Sequence, residues 1–484
     1  MTLAAALLTF ALQDSAPASQ PIRVLDLTID DAVDRALSFN PTLASAGLDV
    51  EATAAGIESA QGAFEPVAFA APRFQHSETP TGTTLAGAQN LERSLVHLDT
   101  GFRQSLPTGG SYILTFQSDR ERTNNSFSTL NPQAFSSFAL TFTQPLLRGA
   151  WTGYGELPVA RARTSLGTSS ATRDLARLDV VQQVHDAYWD LVFAVANRNV
   201  ARSSLQLAER LLEINRKKVE EGVIAEVEIY QAQADVATRR ETLLTAENSI
   251  RATEDALKQL LFPFESREEW SFWLKPTSAP PEPGSVPIPA WQDALTVALA
   301  TRPDLERDRI ALRNRELDLE QRRSELLPLV NFIGSVSDSS LDGHVEFGDL
   351  WRGVFPQYSL AFAIEVPLGN MTARANLRQA ETSVSSARQT LRATERQVAR
   401  EVRDAVRQVA FGEEKIRASR RSREYSEKQL QAEELRFEQG LSTNFEVLTL
   451  QRDLAQAQTN QAQAVLDYAK AAVALERAKG TLRH

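Results

Sequence analysis

The sequence predicts a mostly α-helical chain with a small β part, built as two internal structural repeats that each carry a long antiparallel coiled-coil helical hairpin. Three observations predict it. Two very long segments, roughly 158–221 and 371–439, run without an internal proline. Short runs elsewhere alternate apolar and polar residues with the period of a strand. Paired motifs recur through the chain at constant spacing.

The repeat is read first because it organises everything else. Asp31-Ala32, Ala36-Leu37, Asn40-Pro41-Thr42-Leu43, Glu58 and Pro66 are matched by Asp293-Ala294, Ala298-Leu299, Arg302-Pro303-Asp304-Leu305, Glu320 and Pro328, all 262 positions later. Val184-His185-Asp186-Ala187 and Glu221-Gly222-Val223 are matched by Val402-Arg403-Asp404-Ala405 and Gln439-Gly440-Leu441, 218 positions later. The offset changes among loops and strands, where insertions are tolerated. The reading is a first repeat over 21–262, a Pro-rich linker over 263–290 and a second repeat over 291–482.

Each repeat opens on a helix, 28–62 or 291–327, in which Asn40-Pro41 or Arg302-Pro303 allows a division into two. Strands follow, about 66–76, 95–118 and 136–145 in the first repeat and 329–338 and 356–367 in the second. Tyr358, Leu360, Phe362, Ile364 and Val366 alternate with Ser359, Ala361, Ala363 and Glu365, the pattern of a half-buried strand. Within 95–118, Leu98–Leu106 and Ser111–Gln117 flank Pro107-Thr108-Gly109-Gly110, an extra hairpin candidate with no counterpart in the second repeat.

The helical hairpins, 158–262 and 371–482, come last. At ~1.5 Å per residue each long arm spans on the order of 95–100 Å. Each reaches a glycine and turns back. The returning arm keeps a heptad, Ile229, Val236, Leu243, Ile250 and Leu257 in one repeat and Val447, Leu454, Gln461, Tyr468 and Leu475 in the other. A sustained period of seven is a coiled-coil seam.

Composition excludes several function classes. The 484 residues are 42% hydrophobic and 24% charged, an ordinary balance. The net charge of −10 argues against nucleic acid, whose binders carry a basic face. The chain has no cysteine, hence no disulfide, thiol nucleophile or thiolate site. Its five histidines, His76, His97, His185, His344 and His484, are too scattered to ligate a metal together. There is no Gly-rich phosphate loop and no Ser/His/Asp pattern, so neither an enzyme nor a cofactor is expected.

Leu3–Leu12 is apolar and Ser15-Ala16-Pro17-Ala18-Ser19 resembles a cleavage site, but a positive leader region is missing. Residues 1–20 are read as a signal peptide or a disordered tail. No later segment has the ~18 apolar residues of a membrane-spanning helix, so any passage through a membrane is by strands. Four core strands per chain cannot close a barrel, since bacterial barrels begin at about eight. Unpaired edges do not survive in lipid. Three copies sharing one wall would give twelve strands. Tyr112, Phe116, Phe135, Phe138, Trp351, Phe355 and Tyr358 are candidates for an interface belt or for a core role beside it.

The ordered set Asp31-Ala32 through Asn40-Pro41-Thr42-Leu43, Gln144-Pro145-Leu146-Leu147, and Gly440-Leu441-Ser442 leading to Val447-Leu448 resembles the TolC-type outer membrane efflux protein family, from about Leu27 to Leu482. The resemblance implies a homotrimer in the bacterial outer membrane extending into the periplasm, with helices forming an α-barrel tunnel below a shared transmembrane β-barrel. It implies the channel component of a tripartite efflux or type I secretion system. Such a channel is a passive conduit from periplasm to exterior. Its partners are a periplasmic adaptor protein and an inner-membrane transporter of RND, ABC or MFS type.

By the same resemblance the hairpin tips, Gly222-Val223-Ile224 and Gly440-Leu441-Ser442, dock the adaptor. Glu228, Glu446 and Phe437 are pore-constriction candidates, and identical carboxylates around a narrow axis would raise one another's pKa. The family's arginine and tyrosine lock falls on Ser442 and Phe437, neither of which can make its bonds, so closure by packing of Phe437 is the expectation. The alternative reading is a soluble coiled-coil scaffold without a pore.

Overall fold

The computed structural model describes residues 24–82, 87–150, 152–263, 270–343 and 355–482; the N-terminal segment read as a signal or tail lies outside them, as does Trp351. The chain is mostly helical with one substantial sheet, and it divides into two compact units.

The first unit comprises the residues up to 44, 176–301, and those from 400 on. It opens with strand β1 (Val24–Leu27) and helix α1 (Ile29–Phe39). Thr28 caps α1, its hydroxyl accepting the Asp31 N–H at 3.1 Å. The helix ends at Asn40, whose Oδ1 accepts the Thr42 N–H at 2.9 Å. Pro41 then starts helix α2 (Pro41–Gly62), a position where its missing N–H costs nothing. The opening helix is therefore two helices.

The same break recurs at Arg302-Pro303, between helices α6 (Trp291–Thr301) and α7 (Pro303–Ser324). The segment expected to be only a Pro-rich linker contains strand β6 (Trp273–Pro276), paired in parallel with β1. Leu274 turns inward there beside Leu27, Val33, Val181, Val184, Leu191, Leu257 and Leu261 in one apolar core.

Tyr188 lies at the centre of that core, 0% exposed. Its hydroxyl donates to the Leu27 carbonyl at 3.0 Å and accepts the Thr277 and Ser278 N–H groups at 3.1 and 2.9 Å. Glu254 accepts the Leu274 N–H at 2.7 Å and the Lys258 ammonium at 3.2 Å, and Lys258 also donates to the Trp270 carbonyl. Buried backbone of the β6 segment is thus satisfied by side chains of the helical core, as buried polar groups require.

The hairpins are helices α4 (Leu157–Glu220) with α5 (Val227–Leu261), and α8 (Met371–Glu438) with α9 (Asn444–Lys479). The α9 heptad faces inward: Val447, Leu454, Tyr468 and Leu475 are buried, and Gln461 is half-buried. The α5 heptad does not behave alike. Only Leu257 of it is buried, while Ile229, Val236, Leu243 and Ile250 are half-exposed. Before Leu257 the buried stripe of α5 is small or charged, with Ala232, Asp235, Arg239, Ala246 and Glu254. Asp235 there pairs with Arg239 and with Arg452 of α9, each at 3.3 Å.

The second unit comprises 45–175 and 302–399. It holds β2 (Val67–Pro80), β3 (Asn90–Ser105), β4 (Ser111–Thr123), β5 (Gln133–Pro145), the single turn α3 (Thr152–Gly155), β7 (Leu329–Asp342) and β8 (Gln357–Glu365). The six strands form one antiparallel sheet in the order β2-β3-β4-β5-β7-β8. The four core strands of the sequence reading are β2, β5, β7 and β8. The extra hairpin is β3 and β4, both longer than the sequence pattern suggested, and both members of the same sheet.

One face of the sheet carries Phe74, Val96, Phe102, Leu140, Val336 and Leu360, all exposed in the chain. Tyr112, Phe116, Phe138 and Tyr358 stand on that face in register, and Phe135 on the other. Beneath the strands α4 meets α7 through Arg161 and Asp318 at 2.7 Å, and α8 meets α7 through Thr394 and Asp308 at 2.6 Å.

Replacing Tyr188 by Phe keeps the ring and strands the Ser278 N–H, while the Leu27 carbonyl and the Thr277 N–H keep their mutual bond at 3.0 Å. The expected loss is about 1–3 kcal/mol, read from denaturant unfolding of the purified protein. An unchanged midpoint would remove the hydroxyl from this role.

Candidate functional site: the helix-hairpin tips

Both tips are built the same way. The α4 helix ends as the Gly222 N–H bonds the Val219 carbonyl at 2.9 Å and the Val223 N–H bonds the Lys218 carbonyl at 2.8 Å. In α8, Gly440 bonds Phe437 at 3.1 Å and Leu441 bonds Arg436 at 2.9 Å. This double bond pattern needs a left-handed residue at its corner. Gly222 and Gly440 supply it, at φ of +74° and +75°. A Cβ at either would meet nothing within 4 Å, so backbone torsion alone selects glycine there.

The apolar residues beyond the turns point outward. Val223 is 63% and Leu441 74% exposed, and Val227, Tyr230 and Phe445 are exposed beside them. Ile224 and Ser442 are half-buried. Inside, the tips are tied to each other. Asn215 of α4 donates to the Asn444 Oδ1 at 2.9 Å, and Asn444 of α9 donates to Glu228 of α5 at 3.1 Å. The Lys218 ammonium donates to the Phe437 carbonyl at the end of α8 and lies 3.7 Å from the centre of the Phe437 ring. A cation at a helix C-terminus offsets the partial negative charge of its free carbonyls.

The constriction candidates separate. The Phe437 ring is 4% exposed, packed with Leu211, Leu430, Val447, Leu448 and Leu454 in the core of the hairpin pair, so within one chain it faces no opening. Glu228 is half-buried and held through Asn444.

Glu446 closes a capping box: Thr443 caps α9, its hydroxyl taking the Glu446 N–H while the carboxylate takes the Thr443 N–H at 3.1 Å. Bonds from that N–H and from the Ser442 and Thr443 hydroxyls hold the Glu446 carboxyl below the usual range. The direction within the chain is opposite to the expected rise, because these donors bond only the charged form. The box was readable in Thr443-Asn444-Phe445-Glu446, a standard helix-start signature. Asn215 and Lys218 had no such signal; each is a polar residue on a long amphipathic helix until the partner hairpin is placed beside it.

The described residues hold no group of His, Asp or Glu able to bind a metal and no helix long and apolar enough to cross a membrane. The chain matches the model of the outer membrane efflux protein family over residues 113–261 and 294–481. It is 25% identical over 444 residues to the pyoverdine export outer membrane protein OpmQ of Pseudomonas putida, covering 88% of this chain and 84% of that one. It is 24% identical over 367 residues to the outer membrane protein TolC of Vibrio cholerae, covering 72% and 77%. The CmeC outer membrane channel of Campylobacter jejuni superposes with a TM-score of 0.69 at 16% identity, covering 94% and 85%.

Two outcomes are expected. Thr443→Ala removes the cap of α9 and lowers stability by about 1 kcal/mol, measured by thermal unfolding. The stabilisation that the lowered Glu446 pKa carries is present above the ordinary glutamate pKa and is lost as pH falls through the lowered one. An NMR titration in which Glu446 protonates at or above the usual glutamate value would contradict the capping geometry.

Proposed function

The chain belongs to the outer membrane efflux protein family, and from that premise we propose that three copies assemble as the outer-membrane channel of a tripartite efflux or type I secretion system, a passive conduit from periplasm to exterior. Family membership makes the chain an outer membrane efflux channel. The rest is carried by one observation: the six-stranded sheet has an apolar face and two edge strands, β2 and β8, with no neighbour among the described residues.

In lipid every unpaired backbone group costs several kcal/mol, so the edges must be covered. Six alternating strands make β2 and β8 antiparallel to each other. Strand β8 of one copy can therefore pair with β2 of the next around a closed ring. The half-exposed α5 heptad supports the same reading, since Ile229, Val236 and Leu243 offer a seam for a neighbouring copy. The paired order of elements, α1-α2 to α5 and α6-α7 to α9, supports descent from two repeats.

In this assembly the helical hairpins enclose a tunnel in the periplasm. The tips at Gly222-Val223-Ile224 and Gly440-Leu441-Ser442 dock the adaptor through their exposed apolar residues. The adaptor in turn engages an inner-membrane transporter of RND, ABC or MFS type. Glu228 and Glu446 flank the entrance. Phe437 acts by fixing the angle between the two hairpins, and so the width of that entrance.

Cell fractionation tests the channel: an outer-membrane, detergent-dependent trimer is expected, and recovery solely as a water-soluble monomer would reject it in favour of a soluble scaffold. For the tips, Val223→Asp with Leu441→Asp is expected to weaken adaptor binding by about tenfold or more, a change of at least 1.4 kcal/mol, and to abolish export while leaving the trimer intact. Normal export by that double variant would remove the tips from docking.

A further inference from the structure

The β3–β4 hairpin interrupts an otherwise simple connection. Strand β2 ends at Pro80 and β5 begins at Gln133 on the same side of the sheet, and the two run antiparallel. Without the intervening chain they could pair directly. Instead β3 and β4 lie between them, in continuous register with both.

The side chains follow that register across all six strands. One row runs Ala68, Phe102, Leu114, Leu140, Val336 and Tyr358, every member apolar or aromatic. A second row on the opposite face runs Phe69, Gly101, Thr115, Ala139, Ser337 and Gln357, with polar or small residues from β3 onward. Around that row, with Tyr112 and Phe116, the hairpin strands carry the same apolar outer face as their neighbours; toward the far end the face turns polar at Ser118, Arg120 and Arg122. A plug folded into the pore would leave Phe102 and Leu114 in water. A lobe standing clear of the wall would add two more open edges.

Resting on the shared-wall reading above, we infer that the hairpin is a wall insertion, so that the exit barrel of the trimer has eighteen strands where four-stranded subunits would make twelve. Barrel diameter grows roughly linearly with strand number, so the bore widens about 1.5-fold and its cross-section roughly twofold. The insertion also decides what the bore presents. On the inner face, β5 and β7 are lined by hydroxyls such as Ser137, Thr141, Ser335 and Ser337.

The hairpin instead brings charge. His97 is held between Asp119 and Asp99, the latter at 2.8 Å, and Arg93 pairs with Glu121. The pore is fitted to bulky, water-carrying polar cargo, with three charged stripes alternating with three hydroxyl-lined ones.

The test compares the full chain with a variant in which residues 80–132 are replaced by a two-residue Asn-Gly turn, which pairs Thr79 with Gln133 and keeps both strands' apolar faces on one side. Cryo-electron microscopy of the purified trimer counts strands. Exclusion of neutral polymers of graded size, added from the extracellular side in planar bilayers, measures the exit bore alone. The expected result is eighteen strands falling to twelve, with the largest admitted polymer radius shrinking about 1.5-fold. A full-chain trimer with a twelve-stranded wall, or an unchanged cut-off, overturns the inference while leaving the shared-wall reading standing. Failure of the full chain to form a membrane trimer sinks that reading itself.

Should the shortened variant not assemble, the cysteine-free sequence offers single substitutions in the full chain. Leu114→Cys is expected to resist a charged maleimide that labels Thr115→Cys at least tenfold faster. Equal rates would place both faces of β4 in water and overturn the insertion.

Discussion

A sheet edge cannot be left bare in hydrocarbon, and that constraint orders the rest of this protein. A soluble sheet hides its edges under loops or lets water bond them. Here β2 and β8 end the sheet with full rows of donors and acceptors, next to a face of Phe, Leu, Val and Tyr side chains. Neither feature makes sense for a lone chain in water. Together they are the features on which the proposed shared wall rests.

The helical part is held by a different logic. Its cores are discrete clusters along paired helices, each closed by a few polar anchors. Tyr188 anchors the short parallel sheet to the long helix, and the Asn215–Asn444–Glu228 chain with Lys218 anchors one hairpin end to the other. The buried amides and the half-buried Lys218 at the tips specify register more than they add stability, because each must be matched to a particular partner. Asp235 and Arg239 do the same midway along α5, where an apolar seam would tolerate sliding.

How much of this was legible in the sequence follows from the range of each signal. Long helices without proline, left-handed glycines at their ends and alternating strands are local patterns, and they located α4, α5, α8, α9 and most of the sheet. The strand count was harder. Leu91, Leu95 and Ile113 on the polar face, and Arg120 and Arg122 on the apolar one, interrupt the expected alternation on β3 and β4. Strand β6 was invisible because four residues beside prolines carry no periodicity; its partner β1 lies far away in the chain. Phe437 read as a gate residue by position, but its environment is set by α4 and α9 and not by its neighbours in sequence. Glu446 read as a member of an acidic ring, although its capping role was written three residues upstream.

The alternating direction of neighbouring strands carries a last consequence. A ring of identical subunits closes with antiparallel neighbours only when each subunit contributes an even number. Bore size in such a channel therefore cannot drift smoothly as sequences diverge. It changes by whole hairpins, as gauges on a railway change, two strands per subunit at a step.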